Sequence, residues 1–304
     1  MQVPRTRLTG CWVINPNSAV VLTGNTEKAE ANLDEPFRNP DSSARALSDI
    51  DIDGFVNDGY IRLDGAFPRE LADQGRAILW RDLGCDENDP ATWTRPVIRL
   101  GMYGQEPFKL ATNTPILHKA FDQLVGPGRW ISRGNLGTFP IRFPYPGDPG
   151  DAGWHVDTSF GPESGDLNDF LNWRVNAFSK GRALLMLFLF SDVDENDAPT
   201  RIRIGSHLDI ARRLAPAGEL GLSLRELAAN GFEETSARPE ALATGQAGTV
   251  YLCHPFLVHA AQPHRGTRPR FLAQPPLLPS EPLSLNRANG EYSPVERAIK
   301  RALT

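Results

Sequence analysis

Cysteine is scarce in this chain: three occur among 304 residues, at Cys11, Cys85 and Cys253. An odd number of widely separated cysteines does not form the paired framework that holds small secreted domains together. The fold must therefore rest on a hydrophobic core, for which a hydrophobic content of 40% is ordinary. Unpaired thiols are typical of a reducing compartment, so we expect a cytoplasmic protein.

Long hydrophobic runs and basic blocks are lacking as well. The longest apolar run, Ala183 to Phe190, is much shorter than the roughly 20 residues needed to cross a bilayer. The first residues, Met1 to Arg7, show no apolar segment of the kind found in signal peptides. Lysine and arginine number 32 against 37 acidic residues, which leaves a formal net charge of −5. We therefore expect neither nucleic acid nor a membrane as a partner.

Glycine and proline are plentiful, with 27 and 26 residues, which favours short strands joined by turns over a helical bundle. Apolar residues at helical spacing predict helices over Leu47–Phe55, Pro68–Leu83 and Ile116–Val125. From residue 129 onward, short strand-like segments follow one another, and a helical insert at Leu208–Ala229 interrupts them. This order predicts an α+β fold with a mainly β core, an antiparallel jelly roll with the N-terminal helices packed outside.

The composition also divides the chain. Residues 1–46 read as an irregular arm, because their middle part is polar and carries Pro36 and Pro40. Residues 47–280 are predicted to form one domain, and residues 281–304 a C-terminal tail. Within that tail, Ser293 to Ala302 is predicted to form a helix exposed to solvent.

One short stretch carries chemistry: Gly153-Trp154-His155-Val156-Asp157. On an extended segment, side chains two residues apart share a face, so His155 and Asp157 present an imidazole and a carboxylate together. One further histidine from a distant strand would complete a set of two histidines and one carboxylate. That set leaves three positions of an octahedral metal open and is diagnostic of non-haem Fe(II) oxygenases, whereas a structural zinc site is closed by four protein ligands.

Two histidines compete for the third position. His254 and His259 both lie in the segment His254-Pro255-Phe256-Leu257-Val258-His259. They are five residues apart, so a regular strand would point them to opposite faces. The alternation alone does not say which of them faces His155.

With these segments in hand, the chain resembles the phytanoyl-CoA dioxygenase family of Fe(II)- and 2-oxoglutarate-dependent oxygenases over roughly residues 47 to 275. The resemblance rests on four segments: Asp53 to Tyr60, Gly153 to Asp157, Ala198 to His207, and Gly248 to Pro255 leading to His259 and Arg270. The chain departs from the family pattern at Ile204, where proline is usual, and at His264, where asparagine is usual. Neither position is a presumed ligand.

The resemblance implies a double-stranded β-helix, cupin-like in form, with iron inside one end of the barrel. It implies that His259 rather than His254 completes the metal site, and that the cofactors are Fe(II), the co-substrate 2-oxoglutarate and O2. Arg270, eleven residues after His259, is implied to hold the far carboxylate of 2-oxoglutarate by a bidentate fork. Because Asp157 is present, hydroxylation of a small-molecule substrate is favoured over halogenation, since related halogenases have a small residue at that position.

Other arginines and one amide are further candidates for the co-substrate site. Arg268 would share a strand face with Arg270. Arg142 lies on the strand before the metal motif, and Asn176 lies on a later strand; both are predicted to contact the co-substrate, with a structural role as the alternative. For Arg182 the same two roles, co-substrate contact and structural ion pair, are both open.

Two other functions remain open at this level. A cupin-like metalloenzyme would use the same three ligands without 2-oxoglutarate and would have no need of Arg270. A binding or sensing barrel would hold a metal or ligand without turnover. The intact set of three ligands argues against a barrel without turnover. Whether Arg270 binds 2-oxoglutarate distinguishes the dioxygenase from the cupin-like metalloenzyme.

Overall fold

The computed structural model describes residues 46–164 and 166–304, so the predicted N-terminal arm falls almost entirely outside the described residues. The described residues form seven α-helices. These are α1 (Asp49–Asp58), α2 (Arg69–Leu83), α3 (Glu106–Thr112), α4 (Pro115–Leu124), α5 (Ser206–Leu214), α6 (Leu224–Ala228) and α7 (Pro294–Leu303). None of these helices is long and apolar enough to cross a membrane.

The strands are short, as the glycine and proline content predicts. They are β1 (Tyr60–Leu63), β2 (Val97–Leu100), β3 (Trp130–Ile131), β4 (Phe139–Arg142), β5 (Arg174–Val175), β6 (Leu184–Leu189), β7 (Arg201–Arg203), β8 (Leu222–Ser223), β9 (Glu240–Leu242), β10 (Val250–Cys253), β11 (His259–Ala260), β12 (Leu272–Ala273) and β13 (Pro276–Pro279). All of their pairings are antiparallel. The prediction of helices combined with antiparallel sheets is confirmed.

The largest sheet has the order β1-β10-β6-β13-β3, and β12 also pairs with β6. A second sheet has the order β11-β7-β9, and two further pairs are β2-β4 and β5-β8. Strand β11 carries His259, so the second sheet brings this histidine into the body of the fold. Arg142 at the end of β4 exchanges backbone hydrogen bonds with Arg270.

Strand β6 is buried along its whole length and separates two hydrophobic clusters. Its residues alternate between them, with Leu184, Met186 and Phe188 in the larger cluster and Leu185, Leu187 and Leu189 in the smaller. The larger cluster includes Leu79 of α2 and Phe121 of α4, whereas the smaller includes Ile202 of β7. A strand with apolar residues on both faces therefore packs against helices on one side and against the second sheet on the other.

The C-terminal helix differs from its prediction. We expected a solvated helix, but α7 buries Val295, Ile299 and Ala302, which stand at helical spacing on one side. Glu296 is also fully buried and accepts hydrogen bonds from Ser284 N at 2.8 Å and from Arg287 Nε at 2.8 Å. The amphipathic stripe packs onto α5 and α1, because an apolar face on a terminal helix is stabilised by burial.

Two buried imidazoles lie where α1, α5 and α7 meet. The rings of His207 and His254 have centroids 4.8 Å apart. His207 Nε2 lies 3.2 Å from the carbonyl oxygen of Val56, and His254 Nε2 lies 3.3 Å from that of Val295. Burial lowers the pKa of His207 to about 4 and holds the pKa of His254 well below its usual value. Both rings are therefore neutral at pH 7.

We expect this pair to make the metal-free protein sensitive to acid. The pKa of His207 is 6.5 as an unperturbed side chain and about 4 in the fold, so between these values the unfolded chain binds more protons. The free energy of unfolding therefore falls as the pH is lowered, and His207 contributes about 2 kcal/mol of the loss between pH 7 and pH 5. Urea denaturation at both pH values would measure it. The variant His207→Gln should lose less stability over this interval, and an unchanged pH dependence would contradict the assignment.

Candidate metal centre

His155 and His259 are brought together by their backbones. His155 N donates to His259 O at 3.0 Å, and His259 N donates to His155 O at 2.9 Å. This single antiparallel pair joins a loop residue to strand β11, whereas the sequence predicts a strand from Trp154 to Asp157. Residues opposite each other in an antiparallel pair project their side chains to the same side. The two imidazole centroids are accordingly 4.3 Å apart.

A backbone carbonyl orients each imidazole. His155 Nδ1 lies 2.9 Å from Gly153 O, and His259 Nδ1 lies 3.0 Å from Leu257 O. A carbonyl oxygen can only accept, so each Nδ1 carries the proton and donates it. In this tautomer the lone pair of each ring is on Nε2, where it is available to a metal.

Asp157 completes the group. Its Oδ1 lies 3.7 Å from His259 Nε2, and one ligand atom from each of His155, Asp157 and His259 lies within 4.8 Å of the others. Among the described residues, these three are the set of at least three histidine, cysteine, aspartate or glutamate side chains that lie close enough together to share a metal ion. Two imidazole nitrogens and one carboxylate oxygen are donors that fit Fe(II).

The local electrostatics keep these ligands in their metal-binding forms. Burial lowers the pKa of His259 to about 4, with the neighbouring His155 acting in the same direction. Burial alone would raise the pKa of Asp157, but Arg182, His259 and His155 together outweigh it and lower that pKa. The Arg182 Nη1 atom lies 3.1 Å from Asp157 Oδ2. At neutral pH the site therefore presents a neutral imidazole at His259 and a charged carboxylate at Asp157.

The two competing histidines are separated by the tertiary structure. His259 faces His155 and Asp157, whereas His254 packs against His207 and Phe256 in the core. His264, close in sequence to His259, is buried 3.9 Å from the carboxylate of Asp197. Of the histidines near the second motif, His259 alone belongs to the group around Asp157.

Arg270 is 2% exposed, whereas Arg268 is exposed. Arg270 donates from Nη1 to Ala198 O and from Nη2 to Pro140 O, the latter at 3.1 Å, and its buried Nε has no hydrogen-bond partner. Burial, and secondly the nearby Arg142, holds the pKa of Arg270 well below its usual value. The structure therefore separates the two arginines by burial, and it leaves Nε of Arg270 as a nitrogen that donates to no protein atom.

Arg142 and Asn176 are already engaged within the fold. Arg142 Nη2 lies 2.7 Å from both carboxylate oxygens of the buried Asp151, which also pairs with Arg99. The side chain of Asn176 donates to Glu219 O at 2.9 Å and accepts from Lys180 N at 3.2 Å. Sequence reasoning missed Asp151, because a lone aspartate among glycines and prolines carries no signal of its distant partner.

The comparisons with known proteins bear on the fold. No protein-family model matches the sequence, and no curated protein matches it. Solved structures do match. A candidate oxidoreductase from Salmonella typhimurium LT2 superposes with a TM-score of 0.52 at 15% identity, over 77% of this chain and 70% of that one. The GlcNAc-inducible GIG2 (DUF1479) of Candida albicans gives 0.51 at 13% identity, over 77% and 63%. The chain shares the fold of these proteins.

A further similar structure carries ligands. HygX from Streptomyces hygroscopicus, crystallised with nickel, 2-oxoglutarate and hygromycin B, gives a TM-score of 0.47 at 20% identity, over 77% of this chain and 88% of that one. HygX has also been crystallised with iron.

Proposed function

We propose that this protein is an Fe(II)- and 2-oxoglutarate-dependent oxygenase of the phytanoyl-CoA dioxygenase type, with a double-stranded β-helix at its core. The observation that supports the proposal most is the group of His155, Asp157 and His259. Both imidazoles have Nδ1 tied to backbone carbonyls, and the ligand atoms lie within 4.8 Å of one another. This arrangement suits an octahedral metal with three positions left for other ligands.

The chain would hold Fe(II) through Nε2 of both histidines and an oxygen of Asp157. Bound iron would supply the redox chemistry by which O2 oxidises 2-oxoglutarate to succinate and CO2 and hydroxylates a C–H bond of the substrate. The protein keeps His259 neutral by burial and keeps Asp157 charged through Arg182. Burial of His259 at 2% exposure also limits the access of water on its side of the site.

For the co-substrate, the proposal narrows to Arg270. Its Nε is a buried donor without a partner, and such an atom is a fit for an incoming carboxylate oxygen. Arg142 and Asn176 remain predicted contacts. Arg142 pairs with Asp151 through Nη2 but, like Arg270, has a buried Nε without a partner, whereas the amide of Asn176 is engaged by Glu219 and Lys180. Neither is required for the proposal.

The cavity that we propose for a small-molecule substrate lies along the chain that follows Asp157, and none of the three metal ligands lines it. This cavity of about 530 Å³ opens next to Phe160, which follows Asp157 by three residues. Its walls include Glu163, Leu220 and Lys180, whose cation lies 5.2 Å from the ring of Phe160. The volume is within the range of small-ligand sites.

One observation favours a second candidate, a cupin-like metalloenzyme that does not use 2-oxoglutarate. Both terminal nitrogens of Arg270 donate to backbone carbonyls, of Ala198 and Pro140. If Arg270 makes only these hydrogen bonds, its role is to stabilise the fold and it does not bind 2-oxoglutarate. The two candidates differ in whether 2-oxoglutarate binds to the iron-loaded protein.

We expect iron and 2-oxoglutarate, added without oxygen, to give a weak metal-to-ligand charge-transfer band in the visible spectrum. Arg270→Met should weaken 2-oxoglutarate binding about 10- to 100-fold, the equivalent of one hydrogen bond to a charged group. The exposed neighbour Arg268 offers a matched control, and Arg268→Met should bind as the wild type does. Titration of the band with 2-oxoglutarate measures the affinity.

Iron that binds without producing the band would remove 2-oxoglutarate from the mechanism and support the cupin-like enzyme. Equal 2-oxoglutarate affinity in Arg270→Met and the wild type would keep the co-substrate but move its anchor elsewhere. Release of succinate with candidate substrates follows once the band is established.

A further inference from the structure

A short turn leads from β5 into β6 and ends beside the metal motif. Ser179 N donates to Asn176 O at 2.9 Å, Lys180 N donates to Asn176 Oδ1 at 3.2 Å, and Arg182 N donates to Ser179 O at 3.2 Å. Ser179 has a positive φ of 44°, a conformation that non-glycine residues seldom adopt. The backbone and side-chain oxygens of Asn176 thus stabilise the turn that precedes Arg182.

Gly181 lets this turn approach the chain that follows Asp157. Its φ is +86°, and a Cβ at this position would lie 2.7 Å from the carbonyl oxygen of Ser159. A glycine is therefore required both by the backbone conformation and by the contact. The turn at Gly181 and the segment of Thr158 and Ser159 lie against each other without an intervening side chain.

The close approach places the Arg182 guanidinium on one oxygen of Asp157. Arg182 Nη1 is 3.1 Å from Asp157 Oδ2, and Arg182 Nη2 donates to Thr158 O at 3.3 Å. The other oxygen, Oδ1, is the one 3.7 Å from His259 Nε2. The side chain of Arg182 is 12% exposed, so this ion pair is screened less by solvent than a surface pair.

We infer that Arg182 is a positioning residue for the metal carboxylate: it holds Oδ2 of Asp157 so that Oδ1 alone is presented to the metal. A carboxylate bound through both oxygens would occupy two metal positions instead of one. The partner on Oδ2 therefore preserves an open position. This inference rests on the proposed metal site, and it adds a residue that is not a ligand.

Co(II) binding tests this role without turnover. The protein as purified, stripped of metal, is titrated with Co(II) and followed by its visible absorption spectrum. Arg182→Met should lower the affinity about 10- to 100-fold, the range for loss of an outer-shell partner that orients a metal ligand, and should change the spectrum. Arg182→Lys, which retains a cation, should recover part of the affinity and the wild-type band shape.

Arg133 provides the matched control. It is a second partly buried arginine that interacts electrostatically with Arg182, but it donates to Pro276 O at 2.6 Å and Asn135 O at 3.2 Å and makes no contact with Asp157. Arg133→Met should therefore bind Co(II) with wild-type affinity and spectrum, so a general effect of losing a partly buried cation is distinguished from loss of the contact with Asp157.

The outcomes separate the inference from the proposed function. A wild-type protein that binds no Co(II) would overturn the metal site itself. A wild type that binds, with Arg182→Met equal to it in affinity and spectrum, would overturn the positioning role and leave the site intact. If Arg182→Met does not fold, Gly181→Ala displaces the turn while keeping the arginine; it should bind more weakly, and wild-type binding there would overturn the role.

Discussion

Replacing His259 with alanine is expected to abolish specific metal binding, with a loss of affinity of at least about 100-fold. Loss of a residue that only orients a ligand costs 10- to 100-fold, and loss of the ligand itself costs more. The variant keeps His155 and Asp157 but lacks the Nε2 that faces them. Anaerobic titration with Fe(II) or Co(II) measures the affinity, and the charge-transfer band with 2-oxoglutarate should vanish.

His118 on α4 serves as the control for this variant. It is a half-buried histidine whose Nε2 pairs with Asn113 Oδ1 at 3.0 Å, so it belongs to another part of the fold. His118→Ala should retain metal binding. Wild-type affinity in His259→Ala would mean that the metal is held elsewhere, and both proposals above would then fail together.

The second large effect concerns stability. Arg142→Met should lower the free energy of unfolding of the metal-free protein by about 3 kcal/mol, since removing one partner of a buried ion pair costs 3–5 kcal/mol. The side chains of Arg142 and Asp151 are 3% and 6% exposed. Arg99 still contacts Asp151 in the variant, which places the cost at the lower end. Urea denaturation measures the change.

A double variant tests the cause. Arg142→Met with Asp151→Leu removes both buried charges, and the side chain of Arg99 that remains is 33% exposed. Replacing a buried pair by apolar residues is often neutral, so the double variant should regain most of the stability. A change within about 0.5 kcal/mol in the single variant, typical of surface substitutions, would show that the pair contributes little to stability.

Much of the secondary structure can be predicted from the sequence. The apolar run from Ala183 to Phe190 predicts a buried strand and forms β6, and the stripe after Pro68 predicts a helix and forms α2. Helix α3 was not predicted; its seven residues are too few for helical periodicity to stand out. The sequence predicts helix α7 but predicts it to be exposed to solvent. In the structure its apolar side chains Val295, Ile299 and Ala302 are buried.

Some features of the candidate site can likewise be predicted from the sequence, and others cannot. The sequence by itself determines that His155 and Asp157 stand two residues apart and that a second histidine segment exists, because spacing along an extended chain is a local property. The family resemblance implies His259 over His254, and the strand pairing that makes His259 face His155 is seen only in the tertiary structure. Only the tertiary structure decides that Arg182 contacts Asp157 and that Arg142 is engaged by Asp151. Those contacts join residues distant in sequence, and their partners are chosen by strand pairing and burial, which no local pattern records.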